Sequence, residues 1–249
     1  MSSLALGGAN VLGPRDLWGI VGDTFVIYRR NFIHLLAIAG VVQVGLLVLE
    51  VTLSQISASF FTALLPIILN FVGYVLMGGA VIHAVSEQSF GRSPDIGRAY
   101  RFAGRRLGIM LGAWLLFGLS LGGMIITIIG IPFAVYFSVR WFFVLEVASL
   151  EGIGGRAAIR RSSELVSGQW WRVMGMAVIV GLITGVISVV AFAILGVIPY
   201  IWGTVAAILS TPLGFIPSIL LYYDLRVRKE GYNLDALARE LGAEQAPAT

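Results

Sequence analysis

The sequence predicts an all-α polytopic membrane protein, with six transmembrane helices forming three hairpin repeats and amphipathic helices on the cytoplasmic side. Three observations carry this. Hydrophobic residues make up 58% of the 249 positions and charged residues only 12%, against about 25% charged in soluble domains. Three long blocks are nearly free of charge: 31–86 holds only Glu50, 107–150 only Arg140 and Glu146, and 173–223 none. Of the 17 Lys and Arg, 16 fall in the four segments around these blocks.

Each block has room for two crossings of about 20 residues and a turn. A proline stands near the centre of each, at Pro66, Pro132 and Pro199, and proline suits the first position of a returning helix. The expected spans are 31–53, 66–86, 107–128, 132–150, 172–196 and 199–223. They lie between an N-terminal segment, 1–30, and a tail, 224–249. The turns near 54–65, 129–131 and 197–198 carry no Lys or Arg, so the positive-inside rule puts both termini and every basic segment in the cytoplasm. No basic start, short apolar core and cleavage site precede the first span, and no signal peptide is expected.

The three central prolines are 66 and 67 residues apart, and the entries Arg106-Leu107 and Arg172-Val173 also differ by 66. The expected unit is an amphipathic helix, a basic or aromatic entry, an outward span, a tight turn and a return. Residues 16–28 place Leu17, Ile20, Val21, Thr24 and Tyr28 on one stripe, an interfacial pattern. Ser93-Pro94-Asp95 starts a second helix with Arg98, Arg101, Arg105 and Arg106. Gly154 to Val166 is the third. Asn233 caps a fourth, with Leu234, Leu237 and Leu241 on one face and an Asp235–Arg239 pair. Seating in the headgroup layer is the plainest role for all four, and a specific lipid or partner contact is the alternative.

The run Leu221-Tyr222-Tyr223-Asp224-Leu225-Arg226-Val227-Arg228-Lys229-Glu230-Gly231, followed by Asn233-Leu234-Asp235, resembles the signature that closes the last span in a prokaryotic family of multi-span proteins. That family is named for the membrane domain of glycerophosphoryl diester phosphodiesterase and includes YciC-like proteins. Tyr28-Arg29-Arg30-Asn31-Phe32, and Ala158 to Leu165 leading into Trp170-Trp171-Arg172-Val173, are similar to it as well. The resemblance implies a helical bundle in the cytoplasmic membrane, sometimes attached to or encoded beside other machinery. It does not imply hydrolysis, since no stretch outside the spans has the length of a catalytic diesterase barrel.

Without cysteine there is no thiolate nucleophile and no Cys-ligated metal. The net charge of +4 lies beside the spans, where anionic lipid accounts for it better than nucleic acid does. No cofactor and no metal are expected. The intramembrane polar candidates are Arg140, Glu146, Gln43, Asn70 and Glu50. Arg140, placed near the bilayer centre, is costly there and is read as an interhelical tie, with Gln43 as a possible acceptor. A ligand path and a subunit contact are its alternatives. The candidate lipid or partner contacts are Arg29, Arg30, Arg98, Arg101, Arg105, Arg106, Arg160, Arg161, Arg172, Arg226 and Arg228.

His83 lies four residues before Glu87 and, with His34, marks either an ordinary interface pair or a metal site. Pro212 and Pro217 predict a packing kink, or else a broken span at a substrate site. The rows Gly104-Gly108-Gly112, Gly118-Gly122 and Gly181-Gly185 predict close helix contact, inside the bundle in preference to an oligomer. The leading expectation is a non-catalytic scaffold or accessory subunit. A transporter or channel for a small anionic or lipid-like ligand, anchored by Arg140, and a lipid-headgroup enzyme near His34, His83 and Glu87 are the rivals.

Overall fold

The computed structural model describes residues 16–56, 59–90, 92–198, 200–233 and 236, and all regular structure among them is helical. The order is α1 (Leu17–Arg30), α2 (Phe32–Ser54), α3 (Phe60–Glu87), α4 (Ile96–Ile125), α5 (Gly130–Arg140), α6 (Val144–Glu146), α7 (Gly155–Val166), α8 (Trp170–Leu195) and α9 (Ile201–Glu230), with a π-helical turn at Val147–Glu151 after α6. Five helices, α2, α3, α4, α8 and α9, are long and apolar enough to cross a membrane. A sixth crossing exists if α5 and the α6–π segment, bent by 44° at their junction, count as one span. In sequence-adjacent pairs, α2 packs on α3, α4 on α5 and α8 on α9.

Helix starts follow side-chain caps more than prolines. Ser59 and Thr62 form a reciprocal capping box, which satisfies exposed backbone donors, so α3 begins at Phe60 and Pro66 lies inside it. This overturns the expectation that Pro66 opens the span. Pro132 lies within the first turn of α5, and Pro199 lies outside the described residues. Asp95 caps α4 through the Arg98 amide, and the helix runs unbroken to Ile125. The basic stretch from residue 96 and the span expected from 107 are therefore one rod, since nothing between Arg106 and Leu107 interrupts the backbone ladder. α1 matches its expected range, with Ile20, Thr24 and Ile27 buried. It lies against α9, where the Tyr28 hydroxyl donates to the Leu209 carbonyl at 3.2 Å. Asn233 Oδ1 accepts from the Ala236 amide at 3.0 Å, as a cap does, while the rest of that fourth helix lies outside the described residues.

α9 is the axis of the bundle: 67% of its most apolar stretch is buried, against 6% for α8. It carries Pro212 and Pro217 within one continuous helix, so the break in the spans falls between α5 and α6 instead. Close packing comes from glycines outside the repeating rows. A Cβ on Gly78 would stand 2.6 Å from Phe215 and 2.7 Å from Leu145, and one on Gly79 would stand 2.7 Å from Met110. Gly104, Gly108, Gly112, Gly118, Gly122, Gly181 and Gly185 would meet nothing within 4 Å. Their rows face outward, which corrects the expected internal role: spacing defines a helix face without saying which way it points. Gly78→Ala should lower the stability of the detergent-purified protein by about 1–3 kcal/mol through overpacking, whereas Gly108→Ala should leave the thermal midpoint unchanged or slightly raised.

Candidate functional site

An extended polar cluster lies where α9 ends. Glu151, closing the π turn, accepts from Arg161 Nε of α7 at 2.8 Å and from the Tyr222 hydroxyl at 2.7 Å. Arg161 also pairs with Glu230 at 2.6 Å. Arg226, a turn before Glu230, donates to it at 3.1 Å and lies 3.8 Å from the centre of the Tyr232 ring. Hydrogen bonding to Glu230, and then to Glu151, raises the Arg161 pKa against the opposing effect of burial. Arg161 is thus a fixed cation between two acids from different elements.

A second clamp centres on Asp224, whose side chain is fully buried and takes Arg172 of α8 at 2.9 Å and Arg228 at 3.0 Å. Lys229 Nζ donates to the carbonyls of Glu164 at 2.9 Å and Ser167 at 2.6 Å, supplying a cation at the end of α7. Arg106 of α4 donates to the carbonyls of Ser149 and Leu150, satisfying backbone that the π turn leaves open. Tyr223 and Ser86 of α3 share a hydrogen bond of 2.6 Å between their hydroxyls. The family-like run from Tyr222 to Glu230 therefore ties α9 to α3, α7, α8 and the π turn.

The intramembrane candidates separate into three places. Gln43, Glu50 and Asn70 converge on a cavity of about 590 Å³ between α2, α3 and α9, where Asn70 Nδ2 donates to Glu50 Oε1 at 2.9 Å. Tyr200, on its wall, has φ of 67°, a left-handed backbone unusual for a side-chain-bearing residue. Glu146 is 2% exposed, accepts from the Ser218 hydroxyl at 2.5 Å and lines a separate cavity of about 340 Å³. Arg140 ends α5 and takes the hydroxyl of Tyr136, in its own helix, at 2.9 Å. Tyr136 stacks on Trp170 at 5.9 Å, which sets Arg140 beside the aromatic entry of α8. The helix breaks directly after Arg140. At that terminus the guanidinium lies where the helix dipole favours a cation, and Gln43 stands elsewhere.

Of the basic candidates, Arg161, Arg172, Arg226 and Arg228 join the ion pairs described above, and Arg106 holds backbone carbonyls. Arg98 pairs with Glu87 at 3.5 Å. Arg29, Arg30, Arg101, Arg105 and Arg160 are exposed. His83 Nδ1 lies 4.0 Å from Glu87 and its ring 4.5 Å from that of Phe102, while His34 is exposed on α2. No group of three His, Cys, Asp or Glu able to hold a metal occurs among the described residues. Sequence reasoning missed Glu151, Asp224, Glu230 and Ser218. Asp224–Arg228 and Arg226–Glu230, each at four-residue spacing, signal half of the network. The partners on α7, α8 and the π turn carry no local signal.

Asp224→Asn should destabilise the protein by about 3 kcal/mol, as loss of one member of a buried pair does. Arg228→Gln, at a side chain 41% exposed, should cost under about 1 kcal/mol. Thermal unfolding in a single detergent compares the two.

Residues 116–228 match the family model for the membrane domain of glycerophosphoryl diester phosphodiesterase, the family that the chain's motifs resemble, and no catalytic-domain family matches. The matched segment covers α5 to α8, the later part of α4 and α9 as far as Arg228, and so contains the Asp224 clamp. No curated protein and no solved structure matches the chain.

Proposed function

We propose that this chain is a non-catalytic integral membrane scaffold or accessory subunit of a membrane protein complex. It lies in a prokaryotic cytoplasmic membrane with both termini inside, as three hairpins that present basic segments to anionic lipid and to partner proteins. The observation that carries this reading is the division of labour among the arginines. Arg161, Arg172, Arg226 and Arg228 are held by acids of the same chain. Arg29, Arg101, Arg105 and Arg160 are exposed and enter no ion pair among the described residues. Cations left over after a bundle has closed are available for phosphate headgroups or an acidic partner surface. The packing of α2 on α3, α4 on α5 and α8 on α9 is compatible with the hairpin repeats, although α3 and α4, which belong to different hairpins, also pack together.

A second reading, a transporter for a small ligand, draws on the polar cavity at Gln43, Glu50 and Asn70. Its original anchor, Arg140, lines neither that cavity nor the one at Glu146.

Gentle purification from native membranes should recover the chain with defined further subunits. Arg101→Glu with Arg105→Glu should reduce their recovery severalfold at an unchanged thermal midpoint. A lone monomer from wild-type membranes, or a tag after residue 249 that is accessible from outside the cell, overturns the reading.

A further inference from the structure

The cavity at Glu146 has the form of a binding site. Its walls come from five helices: Tyr74 of α3, Trp114 and Phe117 of α4, Ser138 of α5, Val180 of α8 and Phe215 of α9, among others. Its lining helices are apolar and Tyr74 is 41% exposed, so the cavity opens on the side of the bundle that the spans would turn to lipid. The rings form a continuous aromatic wall: Trp114 stacks on Phe117 at 4.6 Å and on Tyr74 at 5.8 Å, and Tyr74 lies 5.5 Å from Phe215. A volume of about 340 Å³ is within the usual range for small-molecule sites.

The floor is the carboxyl of Glu146. Ser218 donates to one oxygen, but no ion pair among the described residues includes this acid. Burying a carboxylate without a counter-cation is expensive, and no ion pair among the described residues reaches Glu146, whereas the equally buried Asp224 has both Arg172 and Arg228. A second observation points to the same place. The crossing bends by 44° between α5 and α6, and Val139, Phe142 and Glu146, which straddle the bend, all line the cavity. Interrupted helix at membrane depth is tolerated where it is buried in protein or borders a cavity, and such breaks accompany ligand sites.

We propose that the broken crossing forms a lateral site for a lipophilic monocation, an alkyl-bearing amine or quaternary ammonium, whose charge pairs with Glu146 and whose body lies against the rings of Tyr74, Trp114 and Phe117. A negative carboxylate and the electron-rich faces of aromatic rings both attract a cation, and the rings accept it best when water is excluded. An anion would meet the carboxylate, and a neutral alkyl chain would gain no more than it has in lipid. This site stands apart from the scaffold reading, which neither requires nor forbids it.

The test is equilibrium binding of radiolabelled decyltrimethylammonium to the full chain in phosphatidylcholine nanodiscs, with empty discs as background and decyl sulfate and decanol as control ligands. Wild type should bind one cation per chain saturably, and neither control should saturate. Glu146→Gln keeps the shape and a partner for Ser218 and should weaken binding by about tenfold or more. Gly214→Leu tests the space independently of the charge. Gly214 lines the cavity and an added Cβ there meets nothing within 4 Å, so the larger side chain should fill the site and abolish binding at an unchanged thermal midpoint. No saturable binding by wild type, equal binding by decyl sulfate, or undiminished binding by folded Glu146→Gln or Gly214→Leu overturns the proposal.

Discussion

Lipid offers a leucine on a helix as good a surrounding as another leucine does, so apolar area alone cannot hold a bundle of membrane helices together. This bundle depends on α9, the most buried of the five long apolar helices. Its middle is reached by glycines: Gly78 of α3 leaves room for Phe215, and Leu145 of the α6 segment fills the same notch. Its end is held by charge: Asp224 draws in α8 through Arg172, while Glu230 draws in α7 through Arg161. Neither device works without the other, because the ion pairs form only if the backbones approach closely and in register.

The spans were readable because the distribution of charge along the chain is coarse information that survives without coordinates. Stretches of more than forty residues with at most two charges leave few solutions. Their faces were not readable. Most spans are apolar on all sides, so periodicity cannot distinguish the surface toward α9 from the surface toward lipid. That is why Gly104-Gly108-Gly112 looked like a packing seam and faces outward, while the adjacent pair Gly78-Gly79 made no pattern and is the real notch. Boundaries went astray for a related reason. A proline is visible in any sequence, but the Ser59–Thr62 cap that starts α3 is two small polar residues in an exposed turn.

The candidate residues divide in the same way. Gln43, Glu50 and Asn70 are recognisable as polar residues in apolar blocks, and they come together because polar groups on neighbouring spans seek each other. Arg140 and Gln43 do not meet, because Arg140 ends α5 beside Tyr136 while Gln43 lines the cavity between α2, α3 and α9. The clamp at the end of α9 was half legible: spacing within one helix suggests Asp224–Arg228, whereas nothing local announces that Arg172, some fifty residues earlier, completes it. The family-like run is best understood in these terms. It is a connector between helices, which is consistent with a family signature that carries no catalytic pattern.

The break after Arg140 is then intelligible as a consequence of the clamp. Glu151 must reach Arg161 and Tyr222, and Phe143 must present its amide to Ser162 of α7 at 3.1 Å. The chain turns at Trp141 to Phe143 and widens into a π turn whose carbonyls at Ser149 and Leu150 accept from Arg106. Once the backbone bends there, Glu146 is carried inward toward Ser218 instead of outward to the ionic network, and the space on the far side of the bend is left to aromatic rings. The bend between α5 and α6 thus separates the ionic network, which takes Glu151, from Glu146, a deeply buried acid that enters no ion pair among the described residues.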